Sequence, residues 1–294
     1  MTDAAVHAFA EDEVPAGRLA AALGVPLRLV DLHAFPDGET LVTVAESPPT
    51  VVVYRSLDRP NGKLVPLLLA CDAWRRAGAR RLVLVAPYLC YLRQDTLFRP
   101  GQSLSRDVIG GLLGPRFERI VTVNPHLHRT PDLGPVFPGA EVTVLSAARE
   151  LARALGGADQ AVVVGPDEES APWAAAVGAA LSAPSLTLLK HRSGDREVEL
   201  TAPDPKALAG RRAILVDDIC SSGATLARAV ERLRAAGAAS VEIAVTHALF
   251  DAEAEARLKA AGAVRIVSTD SCAHPTNAVA LAPLLAGALR SETA

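Results

Sequence analysis

"ILVDDICSSGATL", residues 214–226, sets an apolar run against two adjacent carboxylates, Asp217 and Asp218, and then a string of small hydroxyl and glycine residues. The run "AILV" (213–216) reads as a buried strand, and "TLARAVERLRAAG" (225–237) as a helix ending at Gly237. The link Ser221-Ser222-Gly223-Ala224-Thr225 then lies just ahead of a helix N-terminus, where unpaired backbone N–H groups and hydroxyls grip a phosphate. Asp217 and Asp218 cannot serve the same phosphate, because like charges repel; they suit vicinal hydroxyls or magnesium. A sugar phosphate satisfies both halves of the stretch. The plainer alternative has Asp218 opening a turn and Ser222 or Thr225 capping the helix.

Outward from this stretch the chain alternates short β-branched runs with Ala/Leu-rich amphipathic ones. "TVVVYRS", "KLVPLLLACDAWRRAGA", "RRLVLVAPY", "SLSRDVIGGLLG" and "ERIVTVNPH" come first, and "AVVVGPD", "APWAAAVGAALS", "SLTLLKHR", "RRAILVDD" and "SVEIAVTHALF" follow. This is a βαβ rhythm, and strands so uniformly apolar predict an α/β fold with mostly parallel sheets covered by helices. The halves resemble each other: "GGLLGPRFERIVTVNPHLH" and "RLRAAGAASVEIAVTHALF" share a helix, a glycine turn, a strand and a histidine beyond it. Proline and glycine in "PVFPGAEVT" break the pattern near 140–145, so two domains are expected, 1–142 and 143–294.

Composition narrows the function. The 294 residues, half of them hydrophobic, carry a net charge of -3, so no overall basic field exists to hold a nucleic acid or an anionic membrane. Cys71, Cys90, Cys220 and Cys272 lie far apart without a CxxC pair, which argues against a zinc site or disulfide framework and fits a reducing cytoplasm. The N-terminal stretch lacks both a basic start and a sustained apolar run, and the other apolar runs are too short to cross a bilayer.

In open α/β sheets ligands bind outside the carboxyl ends of the strands, and polar clusters gather where those ends are expected. They are Arg93-Gln94-Asp95, His126, Asp167, Lys190 to Arg192 and the opening stretch, and six motifs follow one another along the chain: "FPDGE" (35–39), "PYLCYLRQD" (87–95), "NPHLH" (124–128), "VVVGPD" (162–167), "KHR" (190–192) and "VDDICSSGAT" (216–225). The strand, two acids and Ser/Thr/Gly loop form the pattern of the phosphoribosyltransferase superfamily. The six motifs, in this order and spacing, resemble the ribose-phosphate pyrophosphokinase family from about residue 20 onward, with the "FRPGQSLS" and "NPH" forms closest to its shorter, archaeal-type branch.

The resemblance implies two tandem phosphoribosyltransferase-type domains, with ATP between them and across a subunit boundary in a homodimer or larger homo-oligomer. It assigns Phe35, Asp37 and Glu39 to the adenine held by a neighbouring subunit, and Arg93 and Gln94 to ATP. His126 and Asp167 go to the Mg2+ accompanying the phosphates, and Lys190 and Arg192 to a mobile catalytic loop with a Ser193-Gly194 hinge. Asp217, Asp218, Ser221, Ser222, Gly223, Ala224 and Thr225 go to ribose 5-phosphate. The implied reaction moves the β,γ-diphosphoryl group of ATP to the anomeric hydroxyl of ribose 5-phosphate, giving AMP. No Walker A sequence is present.

The chain departs from the family at Asn124-Pro125, where many members have Asp-Leu, at Glu168-Glu169-Ser170, where glycines are usual, and at Ser221, where an acid is frequent. Two added acids beside a triphosphate repel it unless they face solvent or bind metal. Two rivals stand beside this reading: a base-glycosylating phosphoribosyltransferase, which leaves the adenine and Arg-Gln motifs unexplained, and a catalytically silent relative that regulates active subunits. His128 has no counterpart in the family pattern.

Overall fold

The structure, a computed structural model, describes residues 3–127, 130, 132–193, 197–201 and 205–293, and side chains throughout these except at 190–193, 197–201 and 205. It divides into two units, Met1–Leu145 with Leu281–Ala294, and Ser146–Ala280. The same construction is used twice.

In the first unit, strands β1 (Ala4–Ala8), β2 (Leu27–Leu29), β5 (Thr50–Tyr54), β6 (Arg81–Val85), β7 (Arg119–Val123) and β8 (Glu141–Leu145) form one parallel sheet in the order β2-β1-β5-β6-β7-β8. Between β2 and β5 an antiparallel hairpin is inserted, β3 (Asp31–Ala34) with β4 (Thr40–Thr43). Helices α1 (Glu13–Leu23), α2 (Asn61–Arg76), α3 (Ser105–Leu113) and α8 (Ala282–Leu289) complete the unit. Val51, Val53, Leu82, Leu84 and Ile120 from the strands pack with Leu67, Trp74 and Phe137 in its core.

The second unit repeats the plan. Strands β9 (Ala161–Gly165), β10 (Ser185–Thr187), β13 (Arg212–Cys220), β14 (Ser240–Ala248), β15 (Ala263–Thr269) and β16 (Asn277–Val279) run parallel in the order β10-β9-β13-β14-β15-β16. A hairpin again follows the edge strand, β11 (Leu189–Ser193) with β12 (Glu197–Thr201). Its helices are α4 (Ala148–Leu155), α5 (Ala171–Leu181), α6 (Ala224–Ala235) and α7 (Ala252–Ala260). Val162, Val164, Leu215, Ile243 and Val245 face Leu226, Val230, Leu233 and Leu258 in its core.

Two expectations change. The boundary expected at 142/143 falls inside β8, and 281–294 belongs to the first unit, not the second. The reason is apolar: α8 lays Leu285, Ala286 and Leu289 against α1, whose Ala16, Leu19 and Ala20 are buried in turn. The duplication is real in topology but its quoted alignment is off by one strand. β7 occupies the fifth place of its sheet and β14 the fourth, so β7 corresponds to β15 and β14 to β6. Every crossover in such a sheet reads as helix, glycine turn, strand, so local likeness cannot tell neighbours apart. Among the described residues no helix is long and apolar enough to cross a membrane.

Candidate active site

The strand "AILV" does not stop at Val216. β13 continues through both acids to Cys220, because β14 is long enough to pair with it there: Asp217 lies opposite Val245, Ile219 opposite His247 and Cys220 opposite Ala248. The Leu249 N–H then donates to the Cys220 carbonyl at 2.8 Å. Each acid accepts from the next residue's amide, Asp217 Oδ1 from Asp218 N at 2.9 Å and Asp218 Oδ1 from Ile219 N at 2.7 Å. Burial, then the like charges of Asp218 and Asp167, hold the Asp217 carboxyl well above the usual carboxylate range. Such a site favours a neutral hydrogen-bonding partner or a cation.

After Cys220 the chain turns through exposed Ser221 and Ser222 to Gly223, and α6 begins at Ala224. Ala224 therefore lies in the first helical turn instead of ahead of it, one residue before the start read at Thr225. Gly223 is the N-cap residue at φ 70°, a left-handed conformation that glycine adopts without steric cost. Gly223 has no side chain with which to cap α6. Ser222 Oγ accepts one long bond from Ala224 N at 3.4 Å, a weak form of the capping alternative, while Thr225 lies inside the helix and does not cap it. Amides and hydroxyls at a helix N-terminus stand beside the acid pair, the arrangement a phosphorylated diol requires.

One strand away, β9 ends in Gly165-Pro166-Asp167. Asp167 begins a single 3-10 turn, Glu168–Ser170, closed by a reciprocal cap. The Ser170 amide donates to Asp167 Oδ1 at 3.2 Å, Ser170 Oγ accepts from the Asp167 amide at 3.1 Å, and the same hydroxyl donates to the Asp167 carbonyl at 2.6 Å. Ser170 is buried, whereas Glu168 and Glu169 are exposed to solvent. The added acids thus satisfy the solvent-facing condition, and the serine that departs from glycine fixes the backbone of Asp167. Asp167, Asp217, Asp218 and residues 221–225 share the carboxyl edge of one sheet.

In the first unit "FPDGE" forms the tip of the β3–β4 hairpin. Gly38 N donates to the Phe35 carbonyl at 2.9 Å, Phe35 N to the Glu39 carbonyl at 2.8 Å, and Glu39 N to Asp37 Oδ1 at 3.1 Å. Pro36 and Gly38 occupy the second and fourth positions of a β-turn, where each is favoured. The Phe35 ring, 41% exposed, stands edge-on to His33 at 4.8 Å. Arg93 is exposed in the loop after β6, and Gln94 Oε1 accepts from Ser105 Oγ at 2.6 Å at the start of α3. His126 follows β7, two residues past Asn124, whose φ of 43° is a left-handed value that asparagine tolerates better than most residues. Asn124 is buried, and its amide donates to the Leu145 carbonyl at 2.9 Å.

Lys190 and Arg192 lie on β11, opposite Leu200 and Val198 of β12, so the backbone carrying them is a paired strand. Their side chains, with Gly194 of the expected hinge and His128, lie outside the described residues. Three residues of these sites escaped sequence reasoning. Ser105 and Ser170 had a local signal, a hydroxyl at the start of a helical turn, and Ser170 a capping-box spacing from Asp167. Arg257, which meets the 221–223 turn from α7, had none, because the contact spans 35 residues.

Taken with the fold, the acid pair beside a glycine-led helix start defines a tandem phosphoribosyltransferase-type protein. Residues 140–282 match the phosphoribosyl transferase domain, and residues 6–114 match the N-terminal domain of ribose phosphate pyrophosphokinase. The ribose-phosphate pyrophosphokinase of Methanopyrus kandleri is 35% identical over 279 residues, 93% of this chain and 94% of its own. That of Halobacterium salinarum is 34% identical over 283 residues, 93% and 96% of the two chains. The crystal structure of phosphoribosylpyrophosphate synthetase from Mycobacterium smegmatis superposes with a TM-score of 0.83 at 28% identity, covering 98% of both chains. The chain belongs to the ribose-phosphate pyrophosphokinase family.

Proposed function

We propose that the protein transfers the β,γ-diphosphoryl group of ATP to the anomeric hydroxyl of ribose 5-phosphate. The observation that carries this is the edge of β13: two acids that suit a sugar diol, followed at once by a glycine-led helix start. The ring hydroxyls are assigned to Asp217 and Asp218, and the 5-phosphate to Ser221, Ser222, Gly223, Ala224 and Thr225. The anomeric oxygen attacks the β-phosphorus in line, forming an O–P bond as the bond to the α,β-bridging oxygen breaks; AMP leaves with that oxygen, and the hydroxyl proton passes to solvent.

Phe35, Asp37, Glu39, Arg93 and Gln94 are assigned to ATP. Gln94 has its carbonyl oxygen engaged by Ser105, which leaves its amide nitrogen as the group to donate to a nucleotide. Lys190 and Arg192 are assigned to charge gathering on the transferring oxygens, a term that weighs most in the transition state. Among the described residues no group of three or more His, Cys, Asp or Glu forms a metal cage. Hard carboxylate oxygens without a full cage fit magnesium, which keeps waters and binds through one or two carboxylates plus phosphates. Magnesium, to which the family resemblance assigns His126 and Asp167, would supply neutralising charge to those phosphates.

A homo-oligomer and a cytoplasmic setting complete the reading. The latter is supported by four buried cysteines, none in a disulfide. Incubation with ATP, magnesium and ribose 5-phosphate should yield AMP and a diphosphorylated sugar; ADP as the sole nucleotide product rejects the proposal. Lys190→Ala should lower kcat by about a hundredfold or more while ribose 5-phosphate binding survives, as read by calorimetry beside the product assay.

A further inference from the structure

The turn between β13 and α6 is held from behind by one cation. Arg257 Nη1 on α7 donates to the Ser222 carbonyl at 2.8 Å, and its Nη2 pairs with Glu253 one turn earlier at 3.1 Å. α7 is itself pinned at its start, where Asp251 Oδ1 accepts from the Ala254 amide at 2.9 Å. The turn also rests on α7 directly: a Cβ on Gly223 would stand 3.4 Å from Leu258 Cγ and 3.5 Å from the Ala254 carbonyl oxygen.

A trans peptide is planar, so the carbonyl of one residue and the N–H of the next point in opposite directions. No cis peptide occurs among the described residues. A Ser222 carbonyl drawn to Arg257 therefore turns the Gly223 N–H away from the guanidinium, toward the other side of the turn. This peptide needs a lock because its second residue is glycine, free to exchange left-handed for right-handed conformations at little cost. A flipped Ser222–Gly223 peptide would offer a carbonyl oxygen to an incoming phosphate, and like partial charges repel.

We infer that Arg257 is a positioning residue for the terminal phosphate of the sugar substrate, orienting the Ser222–Gly223 peptide so that its N–H meets a phosphate monoester. The inference rests on the sugar-phosphate reading of this turn. It accounts for a cation that ends on a backbone carbonyl, and the preset dipole costs no reorganisation when the phosphate arrives. Arg257 acts through the peptide, with its charge as added favourable potential.

The test uses the full chain, with kinetics in both substrates and calorimetry of ribose 5-phosphate binding. Arg257→Ala should raise KM for ribose 5-phosphate about tenfold, the size of one hydrogen bond to a charged group, with kcat and the KM for ATP within about twofold. Arg257→Gln, which keeps a donor without the charge, should recover part of the loss, and Arg257→Lys most of it. If Arg257→Ala retains the wild-type melting temperature and the wild-type KM for ribose 5-phosphate, the inference is overturned. An equal loss in both KM values, or a loss confined to kcat, also overturns it. A wild-type chain that binds no ribose 5-phosphate overturns the underlying reading and this inference with it, whereas binding unaffected by Arg257→Ala overturns the inference alone.

Discussion

His7 and Trp74, far apart in sequence, meet in the core of the first unit. Trp74 Nε1 donates to His7 Nδ1 at 2.9 Å, and the rings meet edge-on at 5.7 Å. Charging the imidazole means protonating the nitrogen that accepts from Trp74. Burial, and then the charge of Arg28, lowers the His7 pKa from 6.5 to about 4. The folded state therefore holds fewer protons than the unfolded one between these values, and stability present above 6.5 is lost as pH falls toward 4. At about 1.4 kcal/mol per pH unit the interval is on the order of 3 kcal/mol. Asp12 works in the opposite sense. Burial raises its pKa from 3.8 to about 6 against the pull of Arg55, so its contribution is present below 3.8 and lost as pH rises through about 6. His7→Gln, which keeps an acceptor for Trp74 and cannot titrate, should flatten the acid loss between 6.5 and 4; urea titrations at stepped pH would show the slope unchanged if His7 were not its source.

The elements show what short motifs reveal and what they hide. "FPDGE" is legible as a turn, because proline and glycine there have few other uses. That the turn crowns an exposed hairpin, and that a second hairpin bears Lys190 and Arg192 at the corresponding place in the other unit, is not legible. β3 has every residue exposed, so its sequence lacks the apolar alternation that announces a strand. The Asp167 turn is the converse case. Its acid was recognisable, but Glu168-Glu169-Ser170 read as an irregularity until Ser170 proved to be the inner half of a cap. Ser170→Ala removes both hydroxyl bonds at once and should cost about 1–2 kcal/mol, near the range for lost helix caps. Thermal denaturation of the variant measures this, and a melting temperature equal to wild type would contradict it.

For the whole molecule the notable feature is the return of the chain to its first unit. Glu292 is gripped by Arg81 through two bonds, at 2.6 and 2.9 Å, and by Arg119 at 3.1 Å, with only 6% of its side chain exposed. Hydrogen bonds from Arg81, with a further one from Arg119, hold its carboxyl below the usual range against the opposing effect of burial. Its contribution is accordingly present above the unfolded-state pKa and lost as pH falls through the folded one. Glu292→Ala leaves the two guanidiniums short of a partner and should cost about 1–3 kcal/mol, lowering the melting temperature by several degrees near pH 7. The difference from wild type should shrink in acid, and a pH-independent difference would exclude the ion pairs as its cause.

Local chemistry in the sequence determined a parallel α/β fold in two repeats and, at 217–225, an acid pair that runs into a glycine turn and a helix start. Strand hydrophobicity, helix starts and the pairing of acids with a glycine turn are properties of neighbouring residues. Only the tertiary structure decided that β13 runs through its acids to Cys220, that 281–294 closes the first unit, and that β7 corresponds to β15. These depend on the length of a neighbouring strand, on an apolar face finding α1, and on places in a sheet. Arg257 reaching Ser222 is of the same kind: a contact across 35 residues leaves no mark on the residues between.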